Sequence, residues 1–307
     1  MRTLVALLLP ATFALGGCAA FSDDAGSADD GIQVATAFYP LQYVGERVAG
    51  EHATVENLTA PGGEPHDLEL NPTETAQVAQ ADLVVFLHGF QSSVDDAVET
   101  NATGTLLDVE EVVELRPAED GHEEESAEEH EEHDHGDADP HFWHDPLLIA
   151  DLGDEVADQL ADLDPGHAAE YTANAGDLRA DLEALDQELT DGLAQCERST
   201  VVVSHDAFGY LGRYGLEFEP IAGLSPDAEP TPADLGRLQE LIVDEGVTTV
   251  FYESLVSPEI AEQLAADTGV ETAVLDPIEG LTEETADEDY LSLMASNLAA
   301  IEEANGC

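Results

Sequence analysis

Six of the chain's eleven histidines fall between His122 and His144, among nine aspartates and glutamates that precede Asp139. Imidazole and carboxylate together are a donor set for a borderline divalent metal ion. The run has two characters. His122, His130, His133 and His135 lie in 121–137, a stretch of His, Glu and Asp without apolar periodicity, which reads as a solvated loop. A plain charge run and weak metal capture fit this loop equally, because such a tract binds metal without fixed geometry. Its continuation, Asp139-Pro140-His141-Phe142-Trp143-His144-Asp145-Pro146, carries prolines and aromatics and reads as one corner of a buried metal site.

Candidates for the other corners lie far away in sequence: His66 in Pro65-His66-Asp67, His205 in Val203-Ser204-His205-Asp206, and Asp276 in Leu275-Asp276-Pro277. Something must bring them together. Strand candidates at Ile32–Phe38, Thr54–Leu58, Leu83–Leu87 and Thr105–Val109 alternate with helical patterns in the first half. Thr200–Val203, Leu216–Ile221, Val247–Tyr252 and Glu271–Leu275 do the same in the second half. Helix starts are marked by Asn71-Pro72-Thr73-Glu74, Thr231-Pro232 and Ser257-Pro258. Between the halves, His167 to about Gln195 forms one long helix with Leu178, Leu182, Leu185 and Leu189 as its buried stripe. The expected fold is α/β: two lobes, each a four-stranded mainly parallel sheet flanked by helices, bridged by one long helix.

Each candidate ligand then lies beyond the carboxyl end of a strand, two from each half, and the natural meeting place is the cleft between the lobes. Three imidazoles and one carboxylate suit tetrahedral zinc. Each residue also has a plainer reading. A single histidine near a strand end is commonly just hydrogen-bonded, Trp143 could be ordinary core, and Asp139, Asp145 and Asp276, each followed by proline, could cap turns. Spacing leaves both readings open.

The acidity bounds the partners. The 307 residues carry 69 acidic side chains against seven basic ones, all arginine, for a formal net charge of −62. Such a surface repels phosphate backbones and excludes nucleic acid as a partner. It also suits a salty environment in which self-repulsion is screened. Residues 1–17 read as a signal peptide: Arg2, then an apolar run from Leu4 to Leu15 that is too short to span a bilayer. Leu15-Gly16-Gly17-Cys18 matches a bacterial lipobox, which makes Cys18 the lipidation site. The expected organisation is therefore a lipidated tether at 18–31, an N-terminal lobe at 32–146, a helical segment at 147–196 and a C-terminal lobe at 197–307. With Cys18 acylated, Cys196 and Cys307 remain, and an even pair outside the cytoplasm is most simply a disulfide. Two free thiols acting as metal ligands is the alternative.

Ala37-Phe38-Tyr39-Pro40, Pro65-His66-Asp67, Asp139-Pro140-His141-Phe142-Trp143, Ser204-His205-Asp206-Ala207-Phe208-Gly209-Tyr210 and Leu275-Asp276-Pro277 resemble, in order, the motifs of the cluster A-I, or ZnuA/TroA-like, solute-binding lipoproteins of metal ABC importers. The resemblance covers nearly everything after the tether. It implies two bridged α/β lobes, with His66, His141 and His205 as metal ligands and Asp276 as the acidic fourth. A histidine at 205 and an acidic histidine-rich loop resemble the zinc branch. One departure is His144, where the family often has leucine; it stands as a substitute ligand, a supporting donor or neither.

The function so implied is capture of Zn2+ outside the cytoplasmic membrane and delivery to an ABC permease and its ATPase by a lipid-anchored, non-enzymatic monomer. Manganese or iron import on the same fold competes with it. So does a zinc hydrolase with Glu253 or Glu64 as base, although no His-Glu-x-x-His motif is present. An adhesin role is not tested by sequence.

Overall fold

The computed structural model describes residues 31–118 and 138–307. Cys18 and the loop histidines His122, His130, His133 and His135 lie outside the described residues, as do the expected signal peptide and most of the tether.

The first lobe is a four-stranded sheet of β1 (Ile32–Thr36), β2 (Ala53–Asn57), β3 (Leu83–Phe86) and β4 (Thr105–Asp108), in the order β2-β1-β3-β4 with every pair parallel. The second lobe repeats the plan with β5 (Thr200–Val203), β6 (Glu217–Pro220), β7 (Thr249–Tyr252) and β8 (Glu271–Val274), in the order β6-β5-β7-β8. The central strands β3 and β5 are buried at every position, as continuous apolar runs require when helices cover both faces. Each expected strand is present, with its ends within two residues of those expected; β2 begins one residue earlier than expected.

The crossovers in the first lobe are α1 (Tyr39–Ala49), α2 (Pro72–Gln80) and α3 (Ser92–Asn101). The start of α2 is the reciprocal cap expected from its sequence. The Asn71 side chain accepts from the Thr73 amide at 2.8 Å, and Glu74 accepts the Asn71 amide at 2.7 Å. The second lobe uses α6 (Pro232–Glu245), capped in the same way by Thr231, α7 (Glu259–Thr268) and α8 (Tyr290–Asn305). Pro258 is itself the residue before α7, one position later than the expected start, while Ser257 Oγ accepts the Glu259 amide at 3.4 Å, as the cap-then-proline signal implies.

Between the lobes, α4 (Pro146–Leu163) and the long α5 (Ala168–Leu193) form a helical hairpin. At 26 residues α5 is about 39 Å long. Leu178, Leu182, Leu185 and Leu189 are buried, as the sequence periodicity predicts. The helix binds both lobes: Asp181 pairs with Arg47 of α1 at 2.6 Å, and Asp186 accepts from Tyr214 beside the second sheet at 2.8 Å. Cys196 and Cys307 form a disulfide that ties the segment after α5 to the chain's end. Among the described residues no helix is long and apolar enough to cross a membrane.

The lobes are also joined directly. The Trp143 indole N–H donates to the Pro277 carbonyl at 2.7 Å, the Tyr290 hydroxyl to the Trp143 carbonyl at 2.6 Å, and the Tyr210 hydroxyl to the Asp139 carbonyl at 2.9 Å. One apolar core runs from Val34 of the first sheet to Leu275 and Ile301 of the second lobe.

Candidate metal centre

Parallel strands all present their carboxyl ends to the same side, and the loops that leave those ends build the site. His66 lies on the loop after β2, His141 on the segment after β4, His205 directly after β5, and Glu279 on the loop after β8. Their donor atoms converge. Oε1 of Glu279 lies 3.3 Å from His66 Nε2, 3.4 Å from His141 Nε2 and 3.4 Å from His205 Nε2. His141 Nε2 and His205 Nε2 are 3.3 Å apart. A tetrahedron with arms of about 2.0 Å has edges of about 3.3 Å, so these are the separations expected of ligands around one zinc-sized ion.

Carboxylates behind two of the imidazoles decide which nitrogen faces inward. Nδ1 of His141 is 2.8 Å from Asp139 Oδ1, and Nδ1 of His205 is 2.7 Å from Glu253 Oε1. With Nδ1–H given to a carboxylate in each case, the two Nε2 lone pairs face one another. Something positive has to stand between them, either a proton or a metal ion. Burial drives the His205 imidazole toward neutrality, but the hydrogen bonds to Glu253 and Glu279 outweigh it and push its pKa up to about 10. His141 is raised in the same way: burial opposes the charge, and Asp139 and Glu279 favour it. Burial alone would raise Glu279, yet the three histidines hold it well below the usual carboxylate range. In the metal-free cage, then, protons supply the charge that a cation would replace.

Asp276 is not part of this convergence, contrary to the expectation from sequence. Its Oδ2 accepts from the Ser254 hydroxyl at 2.8 Å, and its Oδ1 accepts from the Ile278 amide at 2.7 Å. Asn297 holds the same residue from behind, accepting its amide at 2.9 Å and donating to its carbonyl at 2.6 Å. Asp276 is a turn builder, the plainer of its two readings. Ile278 takes a left-handed φ of 59°, the only such non-glycine among the described residues. That kink aims Glu279 into the cage. The Asp-Pro pair signalled the Asx turn at Asp276 but not the residue that the turn presents.

His144 also lies outside the cage. It is fully buried against the Phe208 ring, with centroids 4.9 Å apart, and neither ring nitrogen has a hydrogen-bond partner among the described residues. Burial, reinforced by the nearby His141, pushes its pKa down to about 3. Glu64 accepts the His66 amide at 3.1 Å, and burial together with the charge of Glu279 pushes it up to about 7. Trp143 is core as well as hinge-pin, packing 5.2 Å from the His141 ring and 5.1 Å from that of Phe38.

His141 and His205 are inaccessible, so the cage is reached at His66. A cavity of about 600 Å3 opens there, lined by His66, Phe90, Arg116, Pro140 and Leu224 among others. Pro117 and Ala138, which pair as an antiparallel bridge on either side of residues 119–137, sit on its wall.

Two lobes of parallel α/β structure, a bridging helix and a closed three-histidine, one-carboxylate cage in the cleft define a metal-type solute-binding protein. Residues 34–304 match the family model of the zinc-uptake complex component A, periplasmic, ZnuA, and the chain belongs to that family. It is 35% identical over 290 residues to the zinc-binding lipoprotein AdcA of Streptococcus pneumoniae, covering 90% of this chain and 56% of AdcA. The high-affinity zinc uptake system protein ZnuA of Bacillus subtilis is 32% identical over 312 residues, covering 97% of this chain and 96% of that protein. This chain therefore spans little more than half of AdcA and nearly all of the B. subtilis protein. The crystal structure of Zn(II)-bound AdcA from S. pneumoniae superimposes with a TM-score of 0.75 at 30% identity, over 90% of this chain and 58% of that one.

Proposed function

We propose that this protein captures Zn2+ in the interlobe cage and delivers it to an ABC permease powered by its ATPase. The observation that carries the proposal is the convergence of four donor atoms, with Glu279 Oε1 3.3–3.4 Å from Nε2 of His66, His141 and His205, and the Nε2 atoms of His141 and His205 3.3 Å apart. Three imidazoles with one carboxylate favour zinc over manganese, which prefers oxygen-rich sites. All four corners come from the protein, and a hydrolytic zinc needs one left for water. This supports transport over catalysis, with Glu253 acting as the carboxylate that orients His205 and not as a base. The names and bound zinc of the relatives support the same cargo. Metal analysis of protein purified without chelator should find one tightly held zinc that His205→Ala loses; retained zinc in that variant would refute the cage.

Around this core we place the chain outside the cytoplasmic membrane, exported by residues 1–17 and lipid-anchored through Cys18, as a monomer. Histidines 122, 130, 133 and 135 act as a weak collector. Support comes from the position of the flanking Pro117 and Ala138 on the wall of the cavity that leads to His66. Deleting residues 121–137 should remove the weak zinc equivalents and leave the tight one.

A further inference from the structure

A second group of metal donors lies at the opposite end of the first lobe. His52 sits in the turn between α1 and β2, just ahead of the amino end of that strand, whereas the cage lies beyond the carboxyl ends. His167 is the residue before α5 and Glu170 stands in its first turn. These residues are 115 positions or more apart in sequence from His52, yet one donor atom of each lies within 4.8 Å of the others. The His52 and His167 rings stack with centroids 3.9 Å apart and planes 15° from parallel, and His52 Nε2 is in direct contact with Glu170 Oε2.

The surroundings have the organisation of a ligand shell. Asp164 holds His167 Nδ1 at 2.5 Å, which leaves Nε2 as the nitrogen with the lone pair. Asp164 is itself fixed by the Gly166 amide at 3.1 Å and the Tyr171 hydroxyl at 3.2 Å. Tyr171 is fully buried, and its ring meets that of His52 edge-on at 5.9 Å, giving the pair a rigid floor. Asn174 pins the same helix to the end of α1 by donating to the Val48 carbonyl at 2.9 Å. Two stacked imidazoles repel each other once both are protonated; a shared divalent ion lies in the plane of each ring, so binding it turns the two rings out of their near-parallel stack toward a common point.

We infer that His52, His167 and Glu170 form a second site for Zn2+, separate from the cleft, with Asp164 orienting His167. Three protein donors leave the remaining position to water, so this site is weaker than the cage and exchanges with solvent. It does not depend on the cage being the transport site.

The test is a zinc titration of the full chain, continued past one equivalent, followed by imidazole 15N–1H NMR with assignments from His52→Gln and His167→Gln variants. After the cage is filled, the His52 and His167 resonances should move together, at zinc concentrations well below those that move His88, an exposed histidine beside Asp95 at 3.4 Å. Glu170→Gln should shift that second midpoint to at least about tenfold higher zinc without altering the cage resonances. The inference is overturned if His52 and His167 stay unmoved, if they move only in step with His88, or if Glu170→Gln leaves the midpoint in place.

Discussion

The Asp276 carboxylate accepts the Ile278 amide at 2.7 Å, and the Glu279 carboxylate one residue further on meets all three cage histidines. One acid shapes the turn and the other faces the three imidazoles. Glu279→Gln should therefore cost zinc affinity more than Asp276→Asn, which keeps an oxygen for the Ile278 amide. The first loss should exceed about 100-fold, and the second should fall within about 10–100-fold, the range for groups that orient ligands. Competition with a chromophoric chelator ranks the two, and the reverse order would return Asp276 to the cage.

Asp139 and Glu253 set the tautomers of His141 and His205. Asp139→Asn and Glu253→Gln should each lower zinc affinity about 10–100-fold while zinc stoichiometry at saturation stays the same. Calorimetric titration separates the two quantities.

The raised pKa of His205, about 10, gives the metal-free protein a definite pH response. A basic group that binds its proton more tightly when folded stabilises fully below its unfolded pKa of about 6.5 and loses that contribution as pH rises toward 10. Metal-free protein should lose thermal stability between pH 7 and 9.5 more steeply than His205→Gln does. Zinc uptake at pH 7.5 should release protons, read as a dependence of binding enthalpy on buffer, and affinity should fall as pH drops.

Most of the fold was legible in the chain because parallel strands buried on both faces must be apolar runs, and Leu83–Phe86 and Thr200–Val203 are such runs. Cap signals at Asn71 and Thr231 placed their helices to the residue. His66, His141 and His205 were legible as strand-end histidines. Glu279 was not, because its role depends on the left-handed Ile278, a conformation that a β-branched residue adopts only when its surroundings impose it. His52 and His167 were not singled out either, since their meeting depends on how α5 packs on the end of α1.

His144 responds to pH in the opposite sense to His205. Its pKa of about 3 when folded lies below that of the unfolded chain, so the fold loses stability as pH falls from about 6.5 toward 3. His144→Leu, similar in bulk and without unpartnered nitrogens, should stabilise the protein by about 1–3 kcal/mol and more at pH 5 than at pH 8. Zinc affinity should hardly change. Thermal melts at the two pH values, alongside chelator competition, check both statements.

Reducing the Cys196–Cys307 bond, which closes a separation of 111 residues, should lower stability by up to about 4–5 kcal/mol in the chain-entropy picture. The cage lies on other loops, so folded Cys307→Ser protein should still bind one tight zinc in the same assay.

Because the indole of Trp143 donates to Pro277 and lies against His141, opening the two halves like a jaw would break that hydrogen bond and disturb the wall of the metal site. Any shape change that accompanies zinc is thereby confined to the rim around His66, a few loop atoms wide.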